Sequence, residues 1–225
     1  MSWQDWVRGV EVEPSLYAAD FARLGEQIEL LGKAGVRIFH FDVGDGHFVP
    51  PVTIGPIVLQ SISPIGHRLG AIFDCHLMVE RPERHFEAIA AAGGDSVTVH
   101  YEACKDLPGV FAQARGQGLA VGLAFNPETS PEDAAGAADG AELVLCMSIH
   151  PGYSGQAFMP EALERVRVLR GLLSPEVHVQ VDGGVGRDNI EALRASGANL
   201  LVAGTAVFGA GNPGAAYREL TLAVA

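Results

Sequence analysis

Lysine and cysteine are both scarce in this 225-residue chain. Its only lysines are Lys33 and Lys105. Neither falls at the end of the sixth or seventh strand-like run, which disfavours Schiff-base chemistry of the aldolase kind. Three cysteines (Cys75, Cys104, Cys146) make an odd set without C-x-x-C spacing, so no disulfide framework or cysteine zinc site is expected. All three read as small apolar core residues. Basic charge is scarce too: 15 Lys and Arg stand against 27 Asp and Glu, a formal net charge of -12, which opposes binding to nucleic-acid phosphates. No apolar run approaches the roughly 18 residues of a membrane helix, and the opening MSWQDWVRGVEVEP has no apolar signal-peptide core. A cytoplasmic protein is expected, with neither nucleic acid nor membrane as partner, and any anionic ligand must be held by local devices.

What the chain does have is 48% hydrophobic residues, enough for a large core, and a steady alternation. Strand-like runs occupy residues 10–14, 36–43, 70–76, 96–100, 119–125, 143–147, 177–181 and 199–203. Amphipathic stretches such as 20–31, 82–92, 160–172 and 187–195 lie between them, several opening with Asp or Pro. Eight β-then-α units without a linker predict one α/β domain over residues 1–225, a single (β/α)8 TIM barrel. The count alone does not exclude a doubly wound sheet. Ala34-Gly35, Ala92-Gly93 and Ser196-Gly197 read as helix ends.

In such a barrel, chemistry sits at the C-terminal ends of strands. Those ends read His40-Phe41-Asp42, Asp74-Cys75-His76, His100 and Asp182-Gly183-Gly184. His40 and Asp42 are two apart, so both point to one face of their strand. With His76 and Asp182 they make a set of two imidazoles and two carboxylates suited to one divalent metal, zinc first, with manganese, iron or cobalt as alternatives. The bland alternative makes His40 a satisfied core histidine and Asp182 a cap of the glycine turn.

Three glycine-rich loops suggest an anion clamp. Residues 182–186 and 203–206 follow the last two strands, the usual phosphate position of this fold, and residues 150–156 follow the sixth. Backbone N–H groups at helix starts bind an anion without lysine, although each loop taken singly could be an ordinary turn.

Together these stretches resemble a known family. Pro14-Ser15-Leu16 with Ala19-Asp20-Phe21, HFDVGDGHFVP from His40, DCHLMVERP from Asp74, VHYEA from Val99, MSIHPGYSGQAF from Met147, VDGGV from Val181 and VAGTAVFG from Val202 are similar to ribulose-phosphate 3-epimerases. The resemblance runs in order from about residue 12 to 209. It implies a metal-dependent isomerase that interconverts D-ribulose 5-phosphate and D-xylulose 5-phosphate through a metal-stabilised enediolate. By that likeness His40, Asp42, His76 and Asp182 are the metal ligands, and Asp42 and Asp182 are also the acid/base pair. Ser15, His76, Met78 and Met147 contact substrate, while Gly152, Tyr153, Ser154, Gly155, Gln156, Gly183, Gly184, Gly204 and Thr205 hold its phosphate. A homo-oligomer is implied as well. Inverting C3 requires a proton removed from one face and one delivered to the other, hence two carboxylates, and each can serve both roles because one oxygen binds metal while the other reaches the carbon-bound proton.

The chain departs from the family's pattern in places. The common D-V-M-D-G is Asp42-Val43-Gly44-Asp45-Gly46, so a methionine is missing, which suggests extra room beside the substrate or simple drift. Ala18 replaces a serine, Tyr17 is new, and Ser154 replaces a glycine. An allulose 6-phosphate 3-epimerase is therefore the second reading. A sugar-phosphate-binding barrel without turnover ranks below it, since both carboxylates are present. Decarboxylation is disfavoured, because residues 74–79 lack the Asp-x-Lys-x-x-Asp motif. Asp45 and His47 are expected to shape their loop, His150 to face solvent, Asp74 to orient a histidine, and His100 and Glu102 to support.

Overall fold

A computed structural model of the chain describes residues 2–225. Eight strands run β1 (Glu11–Pro14), β2 (Ile38–Gly44), β3 (Ile72–Met78), β4 (Ser96–His100), β5 (Ala120–Phe125), β6 (Leu143–Met147), β7 (His178–Asp182) and β8 (Leu200–Ala203). All seven paired neighbours are parallel, from β2 through β8 to β1. A parallel bridge between Ser15 and His40 brings the two ends of the sheet together, so the barrel, not the open doubly wound sheet, is the architecture.

Helices follow the strands, and local chemistry starts several of them. The Asp106, Ser130 and Asn212 side chains accept hydrogen bonds from the N–H groups of Gly109, Asp133 and Ala215, each with proline in the first turn. Two predicted helices begin differently. Asp20 caps a short 3-10 turn (Phe21–Arg23), so the α-helix itself is Leu24–Lys33, which buries Leu24, Ile28 and Leu31 on the sheet. The segment 82–92 splits into a 3-10 turn (Pro82–Arg84) and the helix Phe86–Ala91. Gly35, Gly93 and Gly197 sit at φ of 107, 90 and 109, the left-handed conformation that ends a helix. Among the described residues no helix is long and apolar enough to cross a membrane. Cys75 and Cys146 are buried, but Cys104 is only partly covered, because it follows the turn Tyr101–Ala103 beyond the end of β4.

The barrel interior is split by polarity. β5, β6 and β8 line it with Ala120, Ala124, Leu143, Leu145, Met147 and Leu200. The buried polar residues Glu13, His40, Asp42, Asp74, His76, Ser96, Thr98, His100 and Gln180 come from β1 to β4 and β7. Burying so many polar groups is costly unless they find partners, and the polar half is largely a hydrogen-bonded network, although Glu13 Oε1 and Gln180 Oε1 are buried without a partner. At the opposite end from the loops that follow the strands, Trp3 is wholly buried in a cluster with Ile38, Ile72, Ala120, Leu143 and Leu200, each the first residue of its strand. The four-residue helix Trp3–Trp6 thus plugs the N-terminal mouth, anchored by Trp3 N–H donating to Glu142 Oε2 at 3.1 Å.

Candidate active site and metal centre

Strand alternation and register assemble the centre. His40 and Asp42 stand on β2 directly beside Asp74 and His76 on β3, and Asp182 closes the group from the end of β7. His40 Nε2 lies 3.2 Å from Asp42 Oδ1 and 3.3 Å from His76 Nδ1, and His76 Nδ1 lies 3.1 Å from Asp42 Oδ1. Asp182 Oδ2 is 3.9 Å from His76 Nδ1. All four residues offer a ligand atom within 4.8 Å of the others. A tetrahedral ion with bonds of about 2.0–2.1 Å places its ligand atoms about 3.3 Å apart, so the spacing of the inner three fits a small divalent cation.

Electrostatics favour the same occupant. Burial would raise the Asp42 carboxyl, but the His40 and His76 imidazoles outweigh it and hold the group well below the usual carboxylate range. Burial, and then the nearby Asp42 charge, push Asp182 up to about 7. Burial opposes a charge on His40, yet Asp42 and Asp74 overcome it and raise its pKa well above the ordinary value. A proton on His40 therefore balances the carboxylates in the metal-free site, where a cation could stand instead. Glu13, one layer deeper, is raised well above its normal value by burial and by Asp74.

The partners of these groups are fixed in turn. Asp74 Oδ2 lies 3.2 Å from His40 Nδ1, the orienting contact expected of it, and its Oδ1 accepts from Ser96 Oγ at 2.7 Å. Gln180 Nε2 donates to Asp74 Oδ2 at 3.0 Å and also to Glu13. Ser15 Oγ donates to Asp42 Oδ2 at 2.6 Å.

Above the centre opens a cleft of about 510 Å³, counting space continuous with solvent. Asp42 and Asp182 line it from different strands, together with Ser15, Met78 and Met147. The three glycine loops meet there as well, through Gly152, Tyr153, Ser154 and Gly155, Gly183 and Gly184, and Gly204 and Thr205. No lysine or arginine is among the lining residues. His40 and His76 are wholly buried beneath the cleft. Gln156 is not in its wall: its amide donates to the carbonyls of His150 and Tyr153 and ties its own loop.

Gly44 also departs from expectation. It opens no room beside the cleft, because a Cβ there would meet Pro51 O at 2.9 Å, Val49 Cγ2 at 2.9 Å and Thr53 Cγ2 at 3.1 Å. Thr53 Oγ1 fastens this loop, accepting from Gly44 N at 2.6 Å and donating to Asp42 O at 2.8 Å. Any side chain at this position would meet the chain's own loop at its first carbon. Asp45 shapes that loop as expected, accepting from the N–H groups of His47, Phe48 and Glu80. His150 is exposed and paired with Glu128 at 3.0 Å.

Tyr17, noted in the sequence only as a departure, lines the cleft. The depth of the polar network below the ligands was also unforeseen. One signal for it is the strand Ser96–His100, where polar Ser96, Thr98 and His100 alternate with Val97 and Val99. Such a strand in a barrel wrapped by helices turns its polar face inward.

A (β/α)8 barrel with histidines and aspartates gathered at its C-terminal mouth, in an arrangement that could hold a metal ion beneath a cleft walled by three glycine-rich loops, defines the class: a barrel with a candidate metal centre. Solved structures of similar fold include a 3-hexulose-6-phosphate synthase (TM-score 0.74, 21% identity, covering 96% of this chain and 100% of that one). Another is a thiamine phosphate pyrophosphorylase from Pyrococcus furiosus (TM-score 0.68, 16% identity, 96% and 95% covered). At such identities the likeness concerns the fold. Sequence goes further: the pattern of the Ribulose-phosphate 3 epimerase family matches residues 11–208. The ribulose-phosphate 3-epimerase of Bacillus subtilis (strain 168) is 37% identical over 215 residues, covering 94% of this chain and 98% of that protein. The one from Schizosaccharomyces pombe is 41% identical over 203 residues, covering 90% and 89%. The chain belongs to the ribulose-phosphate 3-epimerase family and is an isomerase, an epimerase acting on a ketose phosphate.

Proposed function

We propose that this enzyme interconverts D-ribulose 5-phosphate and D-xylulose 5-phosphate by a two-base transfer of the C3 proton, with one divalent metal, zinc first, held by His40, Asp42, His76 and Asp182. The observation that carries the reading is the shared placement of Asp42 and Asp182: both belong to the ligand cluster and both line the cleft. When bound, the metal would supply Lewis-acid stabilisation of negative charge developing on the sugar oxygens. The rest falls to the chain. Asp42 and Asp182 stand on opposite sides of the planar enediolate, so one removes the proton and the other returns one to the far face. In the metal-free site their environments already differ: Asp42 is held ionised, while burial and then the Asp42 charge push Asp182 up to about 7. Ser15 holds the second oxygen of Asp42. Met78 and Met147 give the reacting carbons an apolar wall, and backbone N–H groups of residues 152–155, 183–184 and 204–205 receive the phosphate without a cationic side chain.

The crowding met by a Cβ at Gly44 weighs against extra room for a six-carbon substrate at that position. The reading extends to a single-domain, cytoplasmic homo-oligomer. In heavy water, incubation with ribulose 5-phosphate should place deuterium at C3 and yield xylulose 5-phosphate, and a chelator should stop both. Asp182→Asn and Asp42→Asn should each lower interconversion by roughly 100- to 10,000-fold. Deuterium entering only allulose 6-phosphate would transfer the assignment to the hexulose, and no exchange in either sugar would end the epimerase proposal.

A further inference from the structure

We propose that Tyr17 is a substrate-binding residue that donates its phenol hydroxyl to the phosphate of the bound ketose, a side-chain donor supplied by the turn after β1. The inference rests on the phosphate reading above and goes beyond it, since that reading draws its donors from the later units of the barrel.

Tyr17 lies in the 3-10 turn Leu16–Ala18 that follows β1. Ser15, just before it, reaches Asp42. Leu16 packs into the core, and Tyr17 turns back to line the cleft. The turn is tied along its length: Ala18 N–H donates to Ser15 O at 3.2 Å, Ala19 N–H to Leu16 O at 3.1 Å, and Asp20 N–H to Gln27 Oε1 at 3.0 Å. The ring is thus presented from a fixed base.

That base stands against the glycine loops. A Cβ on Gly204 would meet the Ala18 methyl at 3.2 Å and Ser154 Oγ at 3.8 Å, so the turn after β1 converges on one point with the loops after β6 and β8. Tyr153, from the loop after β6, lines the same cleft and is near enough to Tyr17 to act on its charge.

Among the described residues no protein group hydrogen-bonds the Tyr17 hydroxyl. Partial burial first, and then Asp42 and Tyr153, raise its pKa above the ordinary phenol value, so it stands as a neutral donor at neutral pH. A phosphate brings anionic oxygens into a cleft whose wall holds no lysine or arginine, and a hydrogen bond to an ionised acceptor is stronger than one between neutral groups. The two departures in this turn fit together. Position 18 carries a methyl group where the family's pattern has a serine hydroxyl, and position 17 brings a hydroxyl on a longer arm.

Tyr17→Phe removes one oxygen that pairs with nothing in the protein, so its Tm should match the parent's. Calorimetric titration with ribitol 5-phosphate, which has no carbonyl and cannot react, should show Kd raised about 10-fold. Inorganic phosphate should lose affinity by a similar factor. With ribulose 5-phosphate, KM should rise about 10-fold while kcat changes less than about threefold, the mark of binding lost equally in ground and transition states. Unchanged affinity for ribitol 5-phosphate would overturn the proposal, as would a parent that binds neither ligand. A loss for ribitol 5-phosphate with none for inorganic phosphate would overturn it too, because the hydroxyl would then serve a sugar oxygen. The binding arm involves no turnover, so a loss of affinity for both ligands supports the proposal even where the parent epimerises no ketose phosphate, the separate result that would end the epimerase reading.

Discussion

Ser15 Oγ donates to Oδ2 of Asp42 at 2.6 Å while Oδ1 of the same carboxylate faces the two imidazoles. The two oxygens of one side chain are thereby assigned to different neighbours, and the hydroxyl keeps them from exchanging. A hydrogen bond to a charged group is worth about 1.5–3 kcal/mol. Ser15→Ala should therefore lower kcat roughly 10- to 100-fold and move the acid limb of the rate profile to higher pH, because Asp42 loses a contact that favours its ionised form. A variant with parental kcat and an unmoved acid limb would show that the bond does not serve the reaction.

The protons in the centre predict how stability responds to pH. Asp182 is pushed up to about 7 by burial and then by Asp42, whereas an unfolded aspartate titrates near about 3.9. Between these values the folded metal-free protein holds a proton that the unfolded chain has released. The resulting stabilisation is full below the unfolded value and is lost as pH rises through about 7. His40, raised well above its ordinary value after burial is outweighed by Asp42 and Asp74, acts in the same direction at higher pH. A metal has to displace both protons, so its affinity climbs as pH rises. The gap in Tm between zinc-loaded and chelator-treated protein should widen from pH 5.5 to pH 8; a constant or narrowing gap would contradict the protonation scheme.

Gly44 is predicted to be closed to side chains. With three atoms at 2.9 to 3.1 Å from where a methyl carbon would stand, Gly44→Ala should cost about 1–3 kcal/mol, as overpacking does. Adding Val49→Ala should recover part of the loss, since Val49 Cγ2 is one of those atoms. Urea denaturation of the two variants decides the matter, and a fully stable Gly44→Ala protein would mean that the loop yields without strain.

The fold was legible because its evidence is local and repeated. Each strand falls within two residues of its predicted ends, since apolar runs bounded by glycine, proline and aspartate leave little freedom. The gathering of His40, Asp42, His76 and Asp182 was legible for a related reason: strand ends converge in a closed parallel barrel. What escaped depends on neighbours distant in sequence. Trp3 reads as an unremarkable tryptophan until five strand starts surround it. Gly44 reads as missing bulk until Val49 and Pro51 fold back over it. Gln156 lies in a phosphate-like loop, yet its amide is consumed by that loop's own carbonyls.

The tryptophan plug makes the barrel a vessel with one opening. With Trp3 buried among the first residues of five strands, the floor below the ligands is packed with apolar side chains. In a two-base reaction the proton delivered to the product is not the one removed from its substrate, so isotope kept at C3 in recovered substrate, rather than in product, would report how often the cleft exchanges with solvent.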